Sequence, residues 1–198
     1  MNGVHLVTDF KQVREIQTLL GRYANGPLDF FPVMSSISLS MRRITLLETI
    51  PYTISPKPTG TRFLMYFNAS GEIFMENMTQ HIFRVDGMKM VNCDGQPVTD
   101  SVLDGIMTGE KIYSDDFTTN EVKFTFVVMD AIRCNGVNLI DLNILQRIAL
   151  VRVCYIIILK TQLFICITCV FFGLSRRTNA AMTRNRKWNY VIFREYGI

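Results

Sequence analysis

Disulfide chemistry has little to work with in this chain. Its five cysteines, Cys93, Cys134, Cys154, Cys166 and Cys169, form no paired framework, and no signal-peptide pattern precedes them. A reducing intracellular setting is therefore expected. Cys166 and Cys169 make one C-x-x-C, but it lies inside an apolar run with no second pair, which argues against a metal or redox role. Asn68-Ala-Ser70 and Asn77-Met-Thr79 fit the glycosylation pattern, which means little without a secretory signal. No internal repeat runs through the sequence. Nor is there a large charge imbalance, the net charge being +4.

What is present is enough for a core. The 198 residues are 48% hydrophobic and 19% charged, which excludes a disordered chain and fits one domain, or one domain plus a tail. The charge is unevenly placed. From Ser175 onward Arg176, Arg177, Arg184, Arg186, Lys187 and Arg194 face a single acid, Glu195. Such a tail can meet RNA or anionic lipid, although a solvated tail is the commoner case.

Residues 9 to 20 read as a helix, with Phe10, Val13, Ile16, Leu19 and Leu20 at helical spacing, Asp9 as N-cap and Gly21 as the stop. From Tyr52 to about Val85 the pattern turns to strands. "RFLMYF" and "EIFMEN" flank the hairpin residues Asn68 to Gly71, and "HIFRV" follows. "GMKMVNCDGQP" reads as loop. "VKFTFVVMD", residues 122 to 130, is the strongest strand, and Asn135-Gly136 makes a turn after it. The mixture predicts an α+β fold built mainly on antiparallel sheet.

Residues 153 to 174 differ sharply from what precedes them. They supply about the ~20 apolar residues that a bilayer crossing needs. Lys160 opposes that reading at roughly 2.5–3.5 kcal/mol. Arg176 and Arg177 would set a cytoplasmic C-terminus. The alternatives are a buried core segment or a divergent tail that enters no membrane.

One short stretch carries chemistry. In "SPKPTGTRFLMYF", residues 55 to 67, Pro56 and Pro58 restrict the backbone on both sides of Lys57. Gly60 allows close approach to a ligand, and Arg62 opens a strand. A lysine attacks phosphorus or a carbonyl only as the neutral amine, about one part in a few thousand at pH 7 for a free side chain. A working site must lower its pKa, and Arg62 is a candidate neighbour. By itself K-x-x-G-x-R is short, and a loop lysine with prolines for turn geometry is the commoner case.

The surroundings change that balance. "LLETIPYTISPKPTGTRFLMYF" resembles the active-site region of the guanylyltransferase domain of mRNA capping enzymes, members of the covalent nucleotidyltransferases with DNA ligases, whose motif is K-x-D-G-x-R. "FFPVMSSISLSMRRITLLE" upstream, and "GEIFMEN", "HIFRV" and "VVMDAIRCNG" downstream, are similar to further segments of that family in order, so the resemblance covers about residues 4 to 152.

The resemblance implies that residues 1–152 form an antiparallel-sheet-rich nucleotidyltransferase domain, incomplete on its C-terminal side. The hydrophobic segment 153–174 and the basic tail 175–198 would follow it. It implies that Lys57 attacks the α-phosphate of GTP and passes GMP to the diphosphate end of nascent RNA, with Mg²⁺ or Mn²⁺ offsetting charge. Arg62 and Gly60 would serve the nucleotide, Phe83 would stack on guanine or belong to the sheet core, and Asp130 would hold the site or the metal. For the glutamate of the family's D-G-E motif, Glu110 is preferred over a placement at Asp104-Gly105, because its distance from Asp130 fits better. Other capping or transcription components would be partners, in the nucleus. A membrane, reached through 153–174, is the alternative location.

The family pattern is also broken. Thr59 replaces the aspartate of K-x-D-G, Thr108 precedes Gly109-Glu110, and Met78 stands where an arginine is expected. The later D-G-x-[IV] and K-W-K-P segments are absent; "RNRKWNY" has Lys187-Trp188 but no second lysine after the tryptophan. Cations facing a phosphate are a large part of phosphoryl-transfer catalysis, worth roughly 3–4 kcal/mol for one such donor. Weak or absent turnover is therefore expected from this chain alone. The competing reading is a non-catalytic protein of the same lineage that binds nucleotide, RNA or a partner.

Overall fold

The computed structural model describes residues 3–27, 30–33, 52–56, 58–92, 94–113, 120–154, 156–158, 163–166, 172–173 and 190–194. Two compact units divide the chain: residues 1–34 with 59–168, and residues 35–58 with 169–198.

The first unit is built on an eight-stranded sheet. Its strands are β1 (Val4–Leu6), β3 (Thr61–Phe67), β4 (Ile73–Asn77), β5 (Ile82–Val85), β7 (Ser101–Tyr113), β8 (Asn120–Cys134), β9 (Val137–Asn138) and β11 (Leu163–Cys166). They run in the order β1-β5-β4-β3-β7-β8-β11, with β9 also on β8. Every pairing is antiparallel except β11 on β8. A separate antiparallel pair joins β6 (Lys89–Val91) to β10 (Ile156–Ile158). The α+β, mainly antiparallel expectation agrees with this architecture.

The meander follows from local chemistry. At the first hairpin the Asn68 Oδ1 accepts from the backbone N–H groups of Ser70 and Glu72, at 3.0 and 2.9 Å. Asn77 does the same for Thr79 and His81 at the second turn, at 3.1 and 2.9 Å. Asx turns of this kind satisfy the backbone where the ladder is interrupted. After β8, Asn135 and Gly136 both take positive φ, +45° and +83°, which closes the expected turn.

Strand alternation sorts the side chains onto two faces. Met65, Phe67, Ile73, Met75, Leu103 and Phe126 fill one core, joined by Val151 of helix α2 (Ile144–Cys154). On the other face Leu64, Tyr66, Phe74, Ile82, Val102 and Ile132 are covered by Ile16 and Leu20 of helix α1 (Phe10–Tyr23). Each fully buried aliphatic side chain stabilises this seating by about 1.5–3 kcal/mol. Asp9 caps α1 by accepting from the Lys11 N–H at 3.0 Å, as its sequence predicts. The helix does not stop at Gly21, however. Gly21 is buried within it, and the end comes at Tyr23, where Ala24 donates back to the Leu20 carbonyl at 3.0 Å.

The second unit is a three-stranded antiparallel sheet, with β2 (Tyr52–Pro56) between β12 (Phe172–Gly173) and β13 (Tyr190–Arg194).

Two stretches differ from expectation. "GMKMVNCDGQP" contains a short strand, β6, before the Asn92 turn. The described parts of the apolar run 153–174 are the end of α2 and three strands, β10, β11 and β12. Among the described residues no helix is long and apolar enough to cross a membrane. Helix α2 runs through residue 152 to Cys154.

Candidate functional site

Alternation along β3 puts Arg62, Leu64 and Tyr66 on the face that α1 covers, and Phe63, Met65 and Phe67 on the other. Across β7, Arg62 stands opposite Ile106 and Leu64 opposite Asp104; across β8, Asp104 stands opposite Asp130. Arg62, Asp104 and Asp130 thus gather on one face of three adjacent strands.

Their contacts are specific. Arg62 donates through Nε to Asp104 Oδ1 at 2.9 Å and through NH2 to Oδ2 at 2.5 Å. The Asp104 side chain is 6% exposed and that of Arg62 20%, so the pair is shielded from water. Burial is the largest influence on Asp104 and pushes its carboxyl up, while the bonds and charge of Arg62 act against it. Burial also works against the Arg62 charge, yet the bond to Asp104 and the charges of Asp104 and Asp130 more than offset it, and its pKa rises. Those two directions favour opposite states of the carboxyl. Two charge-assisted bonds to a guanidinium that stays protonated decide for the ion pair. The Phe31 ring lies 5.6 Å from the Arg62 Cζ and closes one side of the cation.

Gly60 is explained by the sheet itself. A Cβ there would overlap the carbonyl group of Met107 on β7 and the Ile106 side chain. Asp130 is fully engaged: Arg147 of α2 donates to its two oxygens at 2.7 and 2.8 Å, and the Ala131 N–H to Oδ1 at 2.7 Å. A resident metal does not fit these residues. Both aspartates are committed to arginines, and the described residues contain no group of three metal-ligating side chains.

The remaining expected site residues lie elsewhere. Lys57 is outside the described residues, directly after β2. Phe83 is on the opposite face from Arg62, edge-on to Phe63 with ring centroids 6.2 Å apart, in the core with Met75. Glu110 stands opposite Lys123, six residues along β7 from Asp104, about 20 Å at the rise of a strand. Its side chain is outside the described residues. The residue opposite Arg62 in the ladder is Ile106, two positions after Asp104.

Sequence reading underrated Asp104 and missed Phe31 and Arg147. The parity of Asp104 with Ile106 and Thr108 on a long strand would have flagged it, had that strand been recognised. Nothing in the sequence pattern announces Phe31 or Arg147.

The model of the family described as mRNA capping enzyme, catalytic domain, matches residues 1–165. This chain belongs to that family. Among its relatives is an mRNA-capping enzyme of Caenorhabditis elegans, 25% identical over 188 residues, which are 94% of this chain and 28% of the relative. An mRNA-capping enzyme of Danio rerio is 25% identical over 114 residues, 57% of this chain and 19% of the relative. The chain therefore spans about a quarter or less of the curated relatives it matches. Within this capping-enzyme domain the matched stretch contains β3, β7 and β8, the strands that carry Arg62, Asp104 and Asp130.

Proposed function

We propose that this chain is the nucleotide-binding part of an mRNA guanylyltransferase, acting on GTP and the 5′-diphosphate end of RNA. The observation that carries the reading is Arg62, set five residues after Lys57 in K-x-x-G-x-R and fixed by Asp104 within a capping-enzyme domain. Lys57 would act as the neutral amine. Its Nζ bonds to the α-phosphorus of GTP while the bond from that phosphorus to the bridging oxygen breaks, pyrophosphate leaves and the lysine loses a proton. In the second step a terminal oxygen of the RNA diphosphate displaces the lysine from the same phosphorus and the amine is restored. Arg62 serves the nucleotide's phosphate and ribose as an oriented cation, for which the ion pair with Asp104 pre-organises it. Mg²⁺ or Mn²⁺ would enter as counter-ion of the nucleotide.

The competing reading is a binding protein without turnover. Thr59 in place of the motif aspartate favours it, as does Met78, an exposed apolar side chain where the family pattern has an arginine. The test is covalent labelling. Purified chain is incubated with GTP labelled at the α-phosphate and Mg²⁺ or Mn²⁺, then denatured. Acid-labile, alkali-stable label that Lys57→Ala abolishes is the result expected of the transferase. GTP binding by folded chain with no covalent label overturns that reading and leaves the binding protein.

A further inference from the structure

Glu76 lies in the interior of the first unit without any of the partners such a group normally needs. It is on β4, opposite Leu64 of β3 and Ile82 of β5, on the face that α1 covers. It is 2% exposed, and its Oε2 has no hydrogen-bond partner. Buried carboxylates are ordinarily paired with a cation or held by several N–H groups, since an ion stripped of water is costly. Among the described residues its hydrogen-bond partner is neutral, the Gln17 side chain of α1, whose Nε2 also donates to the Gln80 carbonyl at 3.1 Å.

Among the described residues no charge compensates it from the surrounding elements. On β3 the nearest charged side chain of that face is Arg62, committed to Asp104 of β7. On β5, Ile82 is apolar, and Arg84 is paired at the sheet margin with Glu72 and Asp86, beside His5 of β1. In the β4–β5 turn, His81 is exposed and contacts Thr79. On α1, Lys11, Arg14 and Glu15 are on the exposed side. Tyr66 of β3 and Tyr23 of α1 titrate far above neutrality. Burial pushes the Glu76 carboxyl up from 4.5 to about 7, and the Gln17 bond opposes it only in part.

We propose that Glu76 makes the seating of helix α1 on the sheet proton-dependent: α1 is held down while Glu76 carries a proton, and loosens when Glu76 ionises. The docked helix packs Ile16 and Leu20 into the cluster that holds Leu64 and Ile82, the residues beside Glu76, and bonds to the carboxyl through Gln17. An ionised carboxyl gains water only if the helix lifts. The opened state then binds fewer protons than the docked one, and docking weakens as pH rises from 4.5 to about 7 and levels off beyond. The weakening approaches tenfold per pH unit inside that window and totals roughly 300-fold between the plateaus on its two sides. The chain that follows α1 carries Phe31, the ring beside Arg62, so the helix is tied to the surroundings of that arginine. This inference does not depend on the guanylyltransferase reading.

The test is hydrogen–deuterium exchange of the full chain across this pH range, corrected for intrinsic amide chemistry, on wild type and Glu76→Gln. The expected result is opening of residues 10–23 that rises by up to about tenfold per pH unit and levels off above neutrality. The peptide of residues 61–67 should stay protected, and Glu76→Gln should remove the pH dependence. Opening of α1 that is flat in wild type, or equally pH-dependent in Glu76→Gln, overturns the proposal. Carboxyl NMR on wild type labelled at glutamate gives a reading that needs no variant. One glutamate titrating near 7 supports it, and titration of every glutamate near 4.5 overturns it.

Discussion

Arg62 stands opposite Ile106 in the β3–β7 ladder, yet its guanidinium reaches diagonally to take both oxygens of Asp104. The contact is a cross-strand clamp between the first strand after the lysine segment and the centre of β7. It fixes the direction of the arginine that closes the K-x-x-G-x-R motif.

Breaking that clamp from one side should be far worse than removing it whole. Arg62→Leu leaves a buried carboxylate without its partner and should cost about 3–5 kcal/mol in urea unfolding. Arg62→Leu combined with Asp104→Leu should recover a large part of that loss. Losses that simply add would contradict the pairing. Arg62→Lys should behave more like the single loss than like wild type, because an ammonium cannot donate along two parallel directions.

Gly60→Ala should destabilise through β7, with no ligand present. The added methyl overlaps the Met107 carbonyl, which is backbone and cannot swing aside. Overpacking of this kind costs about 1–3 kcal/mol. Thermal unfolding of the unliganded chain checks it, and an unchanged midpoint would point instead to a role at a ligand.

Acid should expose a second ion pair. Arg133 donates to both oxygens of Asp100, at 2.8 and 2.7 Å, and its guanidinium lies 4.3 Å from the centre of the Tyr23 ring. The bond from Arg133 is the largest influence on Asp100 and holds its carboxyl below the usual 3.8. A carboxyl depressed in the folded state contributes stability above 3.8, and that contribution is lost as pH falls through its folded value. Arg133→Gln should therefore be less stable than wild type at neutral pH, with the gap narrowing below pH 3.8. Urea midpoints across the acid range measure it. A gap that widens in acid would contradict the assignment.

Arg147→Met should loosen α2. It removes the two bonds to Asp130 and the one to the Leu142 carbonyl, leaving a partly buried aspartate that keeps, among the described residues, its bond from the Ala131 N–H. A loss of about 1–3 kcal/mol is expected, with exchange increased first in residues 144–151. Exchange rising instead across β8 would place the main effect of Arg147 on the sheet.

The sequence announced its local signals and hid its long-range ones. The Asn68 and Asn77 turns, the Asn135-Gly136 turn and the Asp9 cap depend on neighbours within a few residues, so they were legible. Helix α1 passed its expected stop with Gly21 buried inside it, and burial is decided by tertiary packing rather than by neighbours in sequence. β7 was not foreseen as a strand: Asp104, Gly105 and Gly109 depress strand propensity, and its pairing with β3 and β8 overrides them. The site divides in the same way. Arg62 could be named from its motif, whereas its carboxylate partner lies a strand away. Phe83 is strand-forming and aromatic on either face, and only the register shows which face it took.

The pairing of β1 with β5 also sets an order of events during synthesis. Val4 finds its partner in Val85, about eighty residues further along the chain, which is a late, non-local closure. On the ribosome the first strand and the apolar stripe of α1 emerge well before any surface exists to receive them. Until β3, β4 and β5 have left the exit tunnel, Ile16 and Leu20 are exposed to whatever else is nearby. Residues 4–23 are thus made well before their seat, and chaperone dependence should be governed by their apolar stripe.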